Sequence, residues 1–206
     1  MGDGAVTYVL DEGIATITLD RPLKINALNR RMLAGLTSGI ERAETDPAVT
    51  AVVLRGAGRG FCSGQDLSDR YIEPGVPAPD LGESLDQRYN PLIRSIRLST
   101  KPIIAAVHGV AAGAGANLAF ACHFVVAADD ARFIEVFATV GLIPDCGGTW
   151  HLIHNAGRAR ALGLALLARP IDGATAAQWG LATVAVPEDA VVATALAMAR
   201  RAAEEG

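Results

Sequence analysis

The chain has 206 residues, the length of one ordinary globular domain with room for a substantial core. Half of its residues are hydrophobic but only 5% are aromatic, a balance typical of tightly packed α/β proteins. The formal net charge of -4 leaves no basic face for a polyanion, which argues against nucleic acid as a partner. The three cysteines lack metal-like spacing, and no leader or long apolar run is visible, so we expect a cytoplasmic protein without a metal site or membrane span.

The first third of the chain predicts a hairpin, a helix and a strand. Two β-branched runs, at 6–10 and 14–19, flank a turn that contains Gly13. Apolar residues then recur at helical spacing over 32–43, and residues 50–54 form the next strand before a glycine-rich turn.

The remaining segments alternate between strands and helices. Prolines at 71–82 favour a mobile loop with room for a lid, followed by a helix that contains Leu85 and Ile96. The remaining strands are predicted at 103–107, 124–128 and 183–186. Helices are predicted in a small-residue segment after His108 and at 158–168 and 188–201. This repeated order of strand and helix predicts an α/β fold, with residues 1–206 as one domain.

One acidic residue stands out because its neighbours are apolar or glycine. Asp145 lies in the segment 140–149, VGLIPDCGGT. A carboxylate among groups that do not solvate it should have a raised pKa, which suits proton transfer near neutral pH. The alternative is that Asp145 starts a turn or caps the helix that begins near Gly147.

Two glycine-rich turns, at 61–67 and 110–117, each follow a predicted strand. Small residues let a backbone approach a ligand, and free N–H groups at a helix start can bind a developing oxyanion. Close helix packing is the alternative for either turn alone. The second turn lacks the third glycine of a dinucleotide-binding fingerprint.

The other candidate polar residues have ordinary structural explanations. His151 and His154 share a helical spacing but no acidic or thiol ligand set, and a histidine such as His108 is by default a satisfied structural residue. Glu135 is either a second site carboxylate or a solvated strand residue. It shares alternation parity with Phe133 and Phe137, which suit a buried face, but parity over so few residues is weak evidence, and the solvated position is favoured.

Taken together, three segments resemble the crotonase (enoyl-CoA hydratase/isomerase) superfamily: 58–67 (GRGFCSGQDL), 111–119 (AAGAGANLA) and 141–150 (GLIPDCGGTW). The resemblance implies a spiral of ββα units that assembles as homotrimers, often paired into hexamers. It also implies an acyl-CoA thioester as the ligand, with coenzyme A entering as part of the substrate and no other cofactor. Family members continue with further C-terminal helices that finish the pocket, and these are expected to be absent or truncated in a chain that stops at Gly206.

The resemblance also assigns site residues. It implies an oxyanion hole made by the backbone N–H groups of Gln65 and Ala114. The hydratase glutamates are replaced here by Asn117 and Phe137. The other substrate-binding positions implied are Lys24, Ala27, Leu28, Ser63, Gly64, Asp66, Leu67, Gly113 and Leu142.

These departures from the hydratases favour an isomerase. Adding water needs a base and an acid, whereas moving one proton between carbons needs one shuttle, here Asp145. Asp145 and the segment 157–161 look most similar to the branch that isomerises ring-epoxidised phenylacetyl-CoA in phenylacetate degradation, so either that reaction or an enoyl-CoA double-bond shift is expected. The alternatives are a hydratase that uses Glu135, a related dehalogenase in which Asp145 is the nucleophile, and a catalytically silent crotonase-fold subunit.

Overall fold

The computed structural model describes residues 5–70 and 80–205. Within these residues the α/β class is confirmed, with two sheets and helices packed around them. The strands are β1 Ala5–Asp11, β2 Ile14–Asp20, β3 Ala51–Gly56, β4 Ile103–Val107, β5 Val110–Ala112, β6 Phe124–Ala128, β7 Arg132–Ile134, β8 Ile171–Asp172 and β9 Val184–Val186. The helices are α1 Arg30–Thr45, α2 Leu81–Ser84, α3 Asn90–Leu98, α4 Ala114–Ala121, α5 Gly148–Ala156, α6 Arg158–Leu167, α7 Gly173–Gln178 and α8 Val191–Glu205, with a π-helical stretch, Leu85–Tyr89, joining α2 to α3.

The larger sheet has the order β1-β2-β3-β4-β6-β9. Its first two strands form the predicted antiparallel hairpin, in which Asp11 pairs with Ile14 across a two-residue turn. Glu12 and Gly13 both have positive φ, as a tight hairpin turn requires, and Gly13 is suited to that conformation. The other strand pairs are parallel, and every residue of β4 is buried, as its continuous apolar sequence predicted.

The smaller sheet has the order β5-β7-β8. After β4 the chain passes through His108 and Gly109 into β5 and then α4, and after β6 it passes into β7, so successive units contribute one strand to each sheet. This is the expected spiral of ββα units. His108 is structural, because its Nε2 lies 2.8 Å from the Gly58 carbonyl oxygen.

Local sequence explains why the helices begin and pack where they do. Asn29 caps α1 by accepting a hydrogen bond from the Met32 N–H at 2.8 Å, and α1 buries its apolar stripe against β1 and β2. Helix α8 packs on β3, β4 and β6. The three cysteines are buried thiols within the core.

The predicted loop at 71–82 requires one correction. Residues 71–79 lie outside the described residues, but Leu81 and Gly82 belong to α2, whose first N–H groups are capped by Asp80. The described helices include none that is both long and apolar enough to cross a membrane.

Candidate active site

The first glycine-rich turn is held against the chain segment that follows β2. Leu28 donates its N–H to the Gly64 carbonyl at 2.7 Å and accepts from the Asp66 N–H at 3.0 Å. Because successive peptide groups of an extended chain point to opposite sides, this pairing directs the N–H of Gln65 away from Leu28. The N–H of Gln65, the predicted oxyanion donor, therefore points away from the segment that follows β2.

The second turn places the start of α4 beside the first. A Cβ built on Gly64 would lie 2.7 Å from the Ala112 oxygen and 3.6 Å from the Ala114 nitrogen, so only glycine permits this approach. The first hydrogen bond of α4 runs from the Asn117 N–H to the Gly113 carbonyl, which leaves the Ala114 N–H without an acceptor inside the helix. The two predicted donors thus belong to adjacent turns, and their catalytic role stays a prediction.

A cleft of about 180 Å³ opens beside the first turn. Gln65, Leu142 and Asp145, which the sequence analysis singled out, all line it. The other lining residues are Leu81, Ser84, Leu85, Tyr89, Ile143 and Pro144. These six were not identified from the sequence: helical spacing predicted the helix around Leu85 but not which of its faces borders a cleft.

Asp145 sits between a 3₁₀ turn, Val136–Val140, and helix α5. The N-cap position of α5 is Gly147, so Asp145 is not the cap of that helix, but it does start the turn that leads into it, as the alternative interpretation expected. Its backbone carbonyl instead accepts hydrogen bonds from the Gly148 N–H at 2.8 Å and from Asn117 Nδ2 at 3.1 Å. The segment that presents Asp145 to the cleft is therefore held by the preceding turn, by the start of α5 and by the Asn117 amide.

Glu135 is a buried acid near Asp145 and not a solvated strand residue. The sequence favoured a solvated strand position for Glu135, but its side chain is only 2% exposed. Phe133, two residues earlier and on the same face by strand alternation, is also only 2% exposed, so Glu135 continues the buried face of β7. Burial raises its pKa to about 8; a hydrogen bond from Asn117 opposes that rise, and the charge of Asp145 adds to it.

The two positions at which the resemblance implies the hydratase glutamates are filled by buried, uncharged side chains. Asn117 is fully buried and donates from Nδ2 to Glu135 Oε2 at 3.3 Å as well as to the Asp145 carbonyl. Phe137 is buried next to Gly113, where a Cβ would lie 3.6 Å from the Phe137 ring. Neither residue offers a carboxylate for activating water.

The segments predicted to bind coenzyme A lie side by side. Ser63 donates its hydroxyl to the Lys24 carbonyl at 3.0 Å and its N–H to the Ile25 carbonyl at 2.8 Å. Lys24 and Leu67 are exposed, so their side chains are available to a ligand. Leu28 is a core residue at 1% exposure, and Ala27 is also buried, so these two positions offer a ligand mainly their backbone.

Asp66 has a structural task within the same turn. It forms an ion pair with Arg21 and accepts hydrogen bonds from the Ser68 hydroxyl and N–H, at 2.7 Å and 2.9 Å. Burial raises the pKa of the Asp66 carboxyl, but the hydrogen bonds from Ser68 and Arg21 outweigh burial and bring it down to about 2. This ionised Asp66 stabilises the turn that carries Gln65.

The histidine pair does not assemble a metal site among the described residues, where no three metal-ligating side chains come together. His151 is buried against Gly147, and burial, with nearby Arg97, lowers its pKa to about 4. His154 stacks on Trp150 with ring centroids 3.9 Å apart. Both fit the packing interpretation.

Comparison with known proteins identifies the family. The family described as enoyl-CoA hydratase/isomerase matches residues 10–206. The chain belongs to the enoyl-CoA hydratase/isomerase family. The high structural similarity to solved members agrees: an enoyl-CoA hydratase from Mycobacterium smegmatis superposes with a TM-score of 0.89 at 33% identity, covering 98% of this chain and 77% of that one.

Two relatives of equal identity carry different names. One is 1,2-epoxyphenylacetyl-CoA isomerase of Escherichia coli K12, 47% identical over 196 residues, which are 95% of this chain and 75% of the relative. The other, from Rhodobacter capsulatus, is named "Probable enoyl-CoA hydratase" and is 47% identical over 183 residues, 89% of this chain and 69% of the relative. Overall sequence identity therefore does not distinguish an isomerase from a hydratase, so the distinction depends on the residues of the site.

Proposed function

We propose that this enoyl-CoA hydratase/isomerase family member is an acyl-CoA isomerase. The main observation that supports this proposal is that Asp145 is the one carboxylate among the described residues that line the cleft, which Gln65 also lines. The substrate we propose is ring-epoxidised phenylacetyl-CoA, the substrate type named for the E. coli relative, or an enoyl-CoA whose double bond is shifted. The apolar wall formed by Leu81, Leu85 and Leu142 suits such an acyl group.

For the double-bond shift, the proposed chemistry is one proton transfer in each direction. Asp145 accepts a proton from one acyl carbon, and the electron pair moves through the acyl chain onto the thioester oxygen. The N–H groups of Gln65 and Ala114 stabilise this enolate oxygen. Asp145 then returns the proton to a different carbon, so the double bond has moved and the carboxylate is regenerated. These steps call for no metal or redox cofactor, and we propose that the only coenzyme involved is the CoA of the substrate.

The rival activity is hydration, because the second relative is named for it. A hydratase needs a second acid or base that touches water at the acyl carbons. Asn117 and Phe137 supply no carboxylate, and Glu135 is not among the residues that line the cleft. These observations favour isomerisation over hydration.

The Asp145→Asn variant tests the proposal. It keeps the size and polarity of the side chain but removes its ability to accept a proton, so isomerisation should fall by roughly 100-fold to 10,000-fold while CoA binding is retained. Turnover of ring-epoxide, 3-enoyl and 2-enoyl thioesters is measured for the parent, for Asp145→Asn and for Asp130→Asn, an exposed aspartate in the β6–β7 turn that serves as the matched control. Rapid hydration of crotonyl-CoA by the parent, with isomerisation intact in Asp145→Asn, would contradict the proposal.

We also propose that the protein works as a homotrimer or hexamer in the cytoplasm, where its three buried cysteines would stay reduced. The support for assembly is the exposed apolar surface on α5 and α6, considered at the molecular scale in the Discussion.

A further inference from the structure

Glu135 is a buried acid that the proposed chemistry does not use. It follows β7 and lies between two buried aromatic residues, Phe133 and Phe137. It does not line the cleft, so it stands behind Asp145 on the protein side rather than beside the substrate. Burying an ionised carboxyl group costs free energy unless it is paired or neutralised.

The Asn117 amide connects Glu135 to the segment that carries Asp145. Asn117 Nδ2 donates to Glu135 Oε2 at 3.3 Å and to the Asp145 carbonyl at 3.1 Å. Gly148 packs directly on this amide, since a Cβ there would lie 2.3 Å from Nδ2. The amide is therefore confined, and a change at Glu135 is passed to the backbone of Asp145.

The remaining oxygens of this cluster indicate where a proton is held. Among the described residues, no donor reaches the buried Glu135 Oε1 or the buried Asn117 Oδ1. Both atoms are acceptors when Glu135 is ionised, and a proton on Glu135 turns one acceptor into a donor. Protonation thus removes a buried charge from a carboxyl group that has few hydrogen-bond donors around it.

Among the described residues, Asp145 is the charged group that acts on Glu135. Burial raises the pKa of the Cys146 thiol well above its usual value and that of Cys62 to about 12, so both are neutral near pH 7. His151, on α5, is also neutral there because burial lowers its pKa to about 4. Asp145 and Glu135 therefore form a coupled pair of carboxyls.

We propose that Glu135 is a positioning residue that retains one proton behind Asp145, so that Asp145 alone carries the negative charge at the cleft. The proposal rests on the proposed isomerase function. Neutral Glu135 holds Asn117, and Asn117 holds the Asp145 backbone. When Glu135 loses its proton in alkaline solution, its buried charge and that of Asp145 repel each other and Asp145 leaves its working position.

The first test is the pH profile of isomerisation. In the parent, kcat should fall as Glu135 ionises, near pH 8, with little change in KM. Glu135→Gln should keep the parent's kcat at pH 7 and lose this alkaline decline, because the amide preserves hydrogen bonding but does not titrate. Glu135→Met should lower kcat roughly 10-fold, the effect expected for one lost buried hydrogen bond, with KM again unchanged. Glu188→Gln, an exposed acid before α8, is the matched control and should keep the parent's profile.

The second test does not depend on turnover. The infrared carboxyl band of the parent minus that of Glu135→Gln should show a protonated carboxyl at pH 7, disappearing near pH 8. In the Asp145→Asn background the midpoint should move to lower pH, because the neighbouring charge is gone. A difference spectrum without that band at neutral pH would overturn the proposal.

The two tests separate the possible failures. Normal isomerisation with the same alkaline decline in Glu135→Gln refutes the role of Glu135 and leaves the isomerase intact. If the protein isomerises none of the substrates but shows the infrared band and its shift, the proposed carboxyl pair is supported and the proposed isomerase function is refuted.

Discussion

At the scale of single residues, two carboxyl groups lie in one neighbourhood and face different surroundings. Asp145 borders the cleft, whereas Glu135 is 2% exposed and is coupled to Asp145 by charge. Environments that separate the pKa values of neighbouring acids are the usual means by which proteins assign them different protonation states. The same contrast has a consequence for stability that requires no substrate.

Glu135 should make the folded state less stable as pH rises. The ordinary pKa of Glu135, 4.5, is raised to about 8 on folding, so between these values the unfolded chain releases a proton that the folded protein retains. The free energy of unfolding should therefore decrease with pH across this window, by at most about 1.4 kcal/mol per pH unit. Urea unfolding of the parent and of Glu135→Gln between about pH 5 and pH 8 measures the effect.

The pH dependence of the unfolding free energy must be compared between the parent and Glu135→Gln, because His151 changes that free energy with pH in the opposite direction. Its pKa is lowered to about 4, so its contribution to stability rises with pH until its unfolded value is passed. That term is common to parent and variant and cancels in their difference. Equal slopes for the two proteins would show that Glu135 folds in its ionised form.

At the scale of secondary-structure elements, the sequence predicted the parts with strong local patterns. The hairpin, α1 and β4 all followed from alternation, helical spacing or a continuous apolar run. The short strands of the smaller sheet, such as β8, were not predicted, nor was α7. Strands of two or three residues have too little sequence to show a period, and their pairing is decided by the elements around them.

The site was predictable only in part for a related reason. Both glycine-rich turns were recognised as backbone-exposing, and the resemblance supplied their joint role. Their adjacency depends on Gly64 meeting Ala112 across the fold, which sequence spacing does not reveal. Glu135 was misjudged because a three-residue strand shows too little alternation to decide a face, although Phe133, two residues earlier, is buried on the same side.

The packing of α5 on α4 should be sensitive to one methyl group. In Gly148→Ala the added Cβ would meet Asn117 Nδ2 at 2.3 Å, which forces α5 or the amide to move. We expect the free energy of unfolding to fall by about 1 to 3 kcal/mol, as for other overpacked sites, and kcat to fall as Asn117 loses the Asp145 carbonyl. Gly163→Ala, in α6, is the matched control: nothing lies within 4 Å of its Cβ, so stability should rise by up to about 1 kcal/mol. Chemical denaturation and steady-state kinetics of both variants decide the matter, and equal effects would contradict the packing argument.

At the scale of the whole molecule, helices α5 and α6 present apolar side chains outward. Ile153 on α5 is 50% exposed, and Leu162 and Leu166, one turn apart on α6, are 40% and 67% exposed. We call this surface the α5–α6 face. Single exposed leucines are ordinary, but several on adjacent packed helices are typical of a surface covered by another protein.

We therefore expect the α5–α6 face to be buried between copies of the chain, in a trimer or hexamer. Leu166→Glu would place a charge in that contact, and desolvating an unpaired carboxylate costs more than the contact gains, so the variant should dissociate. Leu98→Glu, at a position on α3 that is 79% exposed and outside the face, should leave the assembly intact. Light scattering at micromolar concentration reports the number of copies in the parent and in both variants. A parent that is monomeric there, or a Leu166→Glu variant that keeps the parent's size, would show that copies do not associate through this surface.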